Sequence, residues 1–226
     1  MKNSQILKHI TFALLLFTFV FSFGCAKTVT NVNFGSTMTV TVTLRDNADV
    51  TKNRYFMVLG SNSTFSTPRP PAQDGGDYEF LEPDITPFTT NHPTAEYFAK
   101  FFNTWDGYIV LDSTQNFSLV HGPFVEGAIV NRTPLTPAFT GGKTLSFNFQ
   151  LNQIYTSVAG VPANAYFNVI AVAWPPQGTA ARIAWDDLTT NTYISTISGS
   201  TQTVNNTFTA LVDASLDIQS VVVTVQ

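Results

Sequence analysis

The chain carries little that could serve covalent chemistry. Cys25 is the only cysteine in 226 residues, so no internal disulfide can form. His9, His92 and His121 are the only histidines. Isolated histidines do not make a zinc site, which needs three or four ligands at defined spacing. A Gly-x-Ser-x-Gly nucleophile elbow is absent. Charged residues are scarce, at 12% of the chain, and acidic groups outnumber basic ones by 15 to 11. That balance lacks the basic footprint of a nucleic-acid-binding surface. No internal repeat recurs at a fixed period, which argues against a propeller or solenoid.

What is present begins at the N-terminus. Lys2 and Lys8 precede the apolar segment Ile10–Phe23, which ends at Gly24-Cys25. The segment is shorter than the roughly 20 residues of a membrane-spanning helix. It has the length of the apolar region of an export signal, roughly 7–15 residues. The small residue directly before the lone cysteine makes residues 1–25 resemble the signal of bacterial lipoproteins. The pattern departs from that family at Ser22, where an aliphatic residue is usual. The resemblance implies cleavage after Gly24 and a diacylglycerol on the Cys25 thiol, with the membrane as a partner through that lipid. Ala26 stands where an Asp would signal inner-membrane retention, so the resemblance implies the outer membrane in a Gram-negative cell. The alternatives are an ordinary secretory signal and an uncleaved anchor. Loss of Lys2 and Lys8 leaves nine basic residues against 15 acidic, a mature net charge near −6.

The remaining composition favours strands. Phe reaches 20 copies, and Thr, Asn, Ser and Gly supply most of the polarity. β-Branched and aromatic side chains suit pleated, half-buried surfaces. Met38, Val40, Val42 and Leu44 alternate with threonines, and Leu145, Phe147, Phe149 and Leu151 alternate with polar residues. Such period-two patterns predict strands with one wet face. Arg54–Gly60 and Ala165–Trp174 are apolar on both faces, which predicts central strands. Gly107–Asp112 and Asn116–His121 read as a hairpin across Ser113-Thr-Gln. Shorter candidates are 126–131, 181–185 and 192–197, and the chain closes on a strand over 216–225. A proline-rich excursion begins at residue 61 and leads into a short helix over 94–103. The expectation is an all-β protein: signal 1–24, tether 25–34, and one immunoglobulin-like or jelly-roll-like β-sandwich over 35–226. It would have about 8–10 strands and a helical insertion at about 61–106.

Candidate site residues are few. Asp74, Asp77 and Glu79 crowd oxygen ligands into one loop, which could hold calcium, although the spacing is not that of an EF-hand. The alternative is a solvated acidic loop, and no other cofactor is indicated. Trp105-Asp106-Gly107-Tyr108 and Trp185-Asp186-Asp187, with Trp174, pair aromatic rings with carboxylates. Rings of this kind stack on the apolar faces of sugars while carboxylates take the hydroxyls. The competing reading places them in the core, where aromatics are mostly buried. Adjacent Asp186 and Asp187 would point to opposite faces of a strand, and a turn or cap role is the simpler expectation.

Three functions fit this inventory: a non-catalytic binding module for a glycan or envelope protein, a structural subunit pairing through Val221–Val225, and a glycan hydrolase using two of Asp106, Glu126, Asp186 and Asp187. The poor supply of nucleophiles and bases favours the first. Metabolic labelling with a fatty-acid analogue should label the wild-type protein and not Cys25→Ser. Absence of label on the wild type would remove the lipid anchor.

Overall fold

A computed structural model describes residues 35–67, 104–124, 130–156, 160–173, 185–188, 192–210 and 212–226. The proposed signal, Cys25, the acidic loop at 74–79, the expected helix at 94–103 and Trp174 lie outside these residues. The described chain is all-β and folds as two antiparallel sheets packed face to face, the sandwich expected from the sequence. Eleven strands are described, divided four and seven.

The smaller sheet has the order β10-β11-β1-β6. These strands are Thr201–Asn205, Ile218–Val225, Thr37–Leu44 and Thr144–Gln150. The first strand thus pairs with the last, Val40 opposite Val223 and Val42 opposite Val221. Its other edge pairs with β6, Val40 opposite Phe147. Alternation does what the sequence pattern demands. Met38, Val40, Val42 and Leu44 are buried, while the threonines between them face outward.

The larger sheet has the order β5-β4-β3-β2-β7-β8. The strands are β5 Thr133–Pro134, β4 Phe117–His121, β3 Gly107–Leu111, β2 Asn53–Gly60, β7 Asn164–Ala173 and β8 Trp185–Asp187. β9, Thr192–Ser195, pairs with the other half of the β7 edge that carries β8. The central strands β2 and β7 are buried on both faces, as their unbroken apolar runs predict.

One face of this sheet meets the smaller one. Tyr55, Met57, Leu59, Ile109, Phe117, Phe167 and Val169 join the side chains of β1, β6 and β11 in one core. Phe117 of β4 and Phe147 of β6 meet across the sheets with centroids 4.8 Å apart. Burying such rings dominates core energetics, and truncating one costs about 3–5 kcal/mol. The opposite face carries a second cluster of Phe56, Val58, Trp105, Tyr108, Val110 and Ile170, also buried. Gly107 is demanded by close packing: a Cβ there would lie 2.8 Å from the Val120 carbonyl oxygen and 2.5 Å from the Ile154 side chain.

Several expected boundaries move. Asp186 and Asp187 lie in strand β8 rather than in a turn or cap, because they pair with Ala171 and Ile170 of β7. The expected strand at 181–185 overlaps β8 only at Trp185, and residues 181–184 lie outside the described set. Of the expected strand at 126–131, only 130 and 131 are described, and neither is extended into a sheet. β10 was not expected. Its polar sequence TQTVN lacks an apolar stripe because it forms the edge of its sheet.

Val221–Val225 sits inside its own sheet between β10 and β1. Deleting residues 219–226 should therefore abolish cooperative unfolding in urea; a truncated protein that still unfolds cooperatively would contradict the central position of β11.

Candidate functional site

Among the described residues, a cluster of charged and hydrogen-bonded polar side chains lies at the end of the sandwich where β1 stops and β11 starts. It is built around the link from β10 to β11, residues 206–217, which joins two neighbouring strands of the smaller sheet. Asp213 starts a tight turn by accepting the Ser215 amide at 2.9 Å. The turn is pinned to β2, since the Tyr55 hydroxyl donates to the Ser215 carbonyl at 2.9 Å and Asn53 Nδ2 donates to Ser215 Oγ at 2.9 Å.

Asp186 lies beneath this link and is 5% exposed. In register with Ala171, it faces the interior between the sheets. Its Oδ2 accepts the Ile218 amide at 2.8 Å and Asn206 Nδ2 at 3.2 Å, and its Oδ1 accepts the Thr209 hydroxyl at 3.0 Å. These donors come from the smaller sheet and its link, so the carboxylate braces the two sheets together. Burial raises the Asp186 pKa above the ordinary carboxylate value; the hydrogen bonds from Ile218 and Thr209 oppose that rise, and the charges of Asp217 and Asp187 add to it. Asp187 points to the other face, where its Oδ2 accepts Asn168 Nδ2 at 3.2 Å. Asn168 also donates to Thr67 Oγ1 at 2.9 Å. The two aspartates therefore do not share a cleft, as expected for neighbours on a strand.

Beside Asp186 stands an aromatic residue that the sequence reading passed over. Phe208 is 66% exposed, the most exposed large apolar side chain among the described residues. Arg45 lies over its ring, with Cζ 5.3 Å from the centroid. The same guanidinium donates to the Asn206 carbonyl at 3.4 Å. Its Nε lies 2.9 Å from Asp217 Oδ2, an ion pair whose angle falls short of a hydrogen bond. Asp217 is fully buried, and its Oδ1 has no hydrogen-bond partner. One face of the Phe208 ring is thus held by a fixed cation while much of the ring meets solvent. The signal in the sequence is weak: one Phe in the polar stretch Asn205-Asn-Thr-Phe-Thr209.

The other expected site residues are dispersed. Trp105 is 4% exposed and Tyr108 1%. The Trp105 indole donates to the Ser66 carbonyl at 2.7 Å, and its ring packs edge-on against Tyr108 and Phe124. Both rings belong to the second cluster, so they offer no stacking platform to solvent; the core reading holds for them. The alternation of β3 explains Tyr108, and the loop register that tucks Trp105 under Ser66 is not local information. Asp106 is half-buried, and its backbone ties Leu59 to Gly122. Trp185 is partly buried against the second cluster, near the charged end.

Among the described residues, no three metal-ligating side chains converge. An interior gap of about 10 Å³ between the sheets is lined by Val42, Tyr55, Phe117 and Phe147. With no polar partners for a water, it is a packing gap and not a ligand pocket. No protein-family model matches the chain, and neither the curated proteins nor the solved structures yield a match to it.

Removing the Asp186 brace strands the Ile218 amide in the interior, so Asp186→Ala should lose about 1–3 kcal/mol in urea unfolding. A folded pKa raised above the unfolded one means the folded state binds the proton more tightly, so this group's stabilisation is present at low pH and lost as pH rises through the raised pKa. The stability of wild type relative to Asp186→Asn should therefore improve as pH is lowered. An unchanged difference between pH 4 and pH 7 would show that the carboxylate titrates normally.

Proposed function

We propose that this protein is an exported β-sandwich held at the cell envelope by a lipid on Cys25, and that its folded domain binds a ligand without transforming it. The observation that carries the binding role is the exposed Phe208 ring, backed by Arg45. An exposed ring matches one demand of a glycan, an apolar face to stack on. The fixed guanidinium holds the ring in place before binding, which lowers the ordering cost on association. The carboxylates nearby support the non-catalytic reading. Asp186 is occupied by three donors and Asp217 is engaged with Arg45, so each is committed to holding the fold.

The structural-subunit reading has a different basis from the one suggested by the C-terminal sequence. β6 pairs only with β1 among the described strands, and it carries no charge or proline to blunt its open edge. A self-associating sheet edge would show as a concentration-dependent oligomer.

The domain without its signal should be retained by at least one neutral or acidic polysaccharide in a glycan-array screen. Phe208→Ala should weaken that retention about tenfold, a loss near 1.4 kcal/mol, with a fall in melting temperature of no more than about 4 °C, since only the exposed contact with Arg45 is lost. Equal binding by wild type and variant would remove Phe208 from the site; no retained glycan of any class would overturn the glycan reading.

A further inference from the structure

Among the described strands, those at the sheet edges are short or guarded, with one exception. β5 spans two residues and includes Pro134, and β8 and β9, of three and four residues, divide one side of β7 between them. Short strands and proline discourage a further strand from adding. β10 spans five residues, and Gln202, opposite buried Val223, turns an amide inward that an added strand would help to bury.

β6 is the exception. It runs seven residues, Thr144–Gln150, in unbroken register with β1. Leu145, Phe147 and Phe149 are buried in the core, while Thr144, Ser146, Asn148 and Gln150 are exposed. Nothing in TLSFNFQ is charged. Lys143, just before it, is turned back on its own chain and donates to the Arg45 carbonyl at 2.8 Å.

The hydrogen bonds of β6 fix which of its backbone groups are open. At the two ends of the β1–β6 ladder, the Leu44 amide donates to the Lys143 carbonyl and the Leu151 amide donates to the Ser36 carbonyl. Alternation between these pairs directs the backbone groups of Leu145, Phe147 and Phe149 toward β1. The amides and carbonyls of Thr144, Ser146 and Asn148 therefore point away from β1, along the edge of the sheet. The Gln150 amide is already taken by Gln153 Oε1 at 2.9 Å. The open groups are thus symmetric about Ser146.

We propose that β6 pairs antiparallel with β6 of a second copy of this chain, about a two-fold axis through Ser146. The proposal rests on the sheet-edge reading of self-association and gives it a partner and a register. With Ser146 opposite its own copy, Thr144 meets Asn148 of the partner subunit, and every open amide finds a carbonyl. Centring the axis on Leu145 would set Asn148 against Gly142, whose carbonyl already accepts the Ala48 amide. Centring it on Phe147 would set Thr144 against Gln150, whose amide is occupied. Self-pairing suits an uncharged strand, since no like charges meet across the axis, and Thr–Asn and Ser–Ser neighbours on the outer face exchange hydrogen bonds. β6 carries no charge by which a different partner would be selected. One strand ladder is a small interface, so the dimer is weak and dissociates at about 10–100 μM.

The test uses the full chain carrying Cys25→Ser, in dodecyl maltoside, so that any introduced thiol is the sole one. Sedimentation velocity over about 1–500 μM should show monomer giving way to dimer. Ser146→Lys sets like charges together at the axis and should raise the dissociation constant about tenfold or more, as should Ser146→Glu. An equal mixture of the two variants should restore the dimer, which a misfolded variant could not do. Under mild oxidation Ser146→Cys should crosslink to itself, because residues facing each other in a hydrogen-bonded pair lie within disulfide reach. Thr144→Cys and Asn148→Cys should crosslink only when mixed. Monomer at every concentration would overturn this pairing and the sheet-edge reading together. A dimer indifferent to Ser146→Lys would overturn the β6 pairing and leave self-association to another surface. Crosslinking of Thr144→Cys to itself would overturn the axis through Ser146.

Discussion

The pairing of the first strand with the last is the constraint on which the other features depend. β1 and β11 lie side by side in the middle of the smaller sheet, in register from Met38–Val225 to Leu44–Ile218. Their inward side chains supply a large part of the surface that meets the other sheet. Because the contact joins the two ends of the domain, it forms only when the intervening chain has closed, and such non-local pairings are slow to form. The same pairing fixes where the chain enters the domain, since Gly35 and Ser36 are tied to Thr196 and Gln226. It also fixes the β10–β11 link that carries Phe208.

Asp186 completes that arrangement at the other end. A buried carboxylate is a liability unless its lone pairs are satisfied, and here three donors from the opposite sheet and its β10–β11 link satisfy them. The brace thereby couples β8, a three-residue strand with little ladder of its own, to the much longer β11. Arg45 plays a parallel part over Phe208. It neutralises buried Asp217 and covers one face of the ring. Cation and ring together are worth about 0.5–1 kcal/mol at an exposed position. The consequence is geometric: the ring is presented in one orientation.

Much of the fold was legible along the chain. The Thr–apolar alternation of β1 and the polar–apolar alternation of β6 each report a strand with one wet face, and the structure buries the apolar set of both. The continuous apolar runs of β2 and β7 report strands covered on both sides, which they are. β10 was not legible, because an edge strand needs no apolar stripe. The site was less legible still. Trp105 and Tyr108 have the composition of a stacking platform, yet packing puts them under Phe56 and Phe124. Phe208 gave no local sign of exposure, and nothing near Asp186 in the chain announces donors more than 20 residues away at Thr209 and Ile218.

By itself, then, the sequence determined the class of the domain, since that is written in local hydrophobic order: apolar residues at a period of two in strands with one wet face, and unbroken apolar runs in strands covered on both faces. Only the tertiary structure decided which aromatic ring meets solvent and which carboxylate is committed to a brace. Those properties depend on the register between strands distant in the chain, and local residue order does not encode that register.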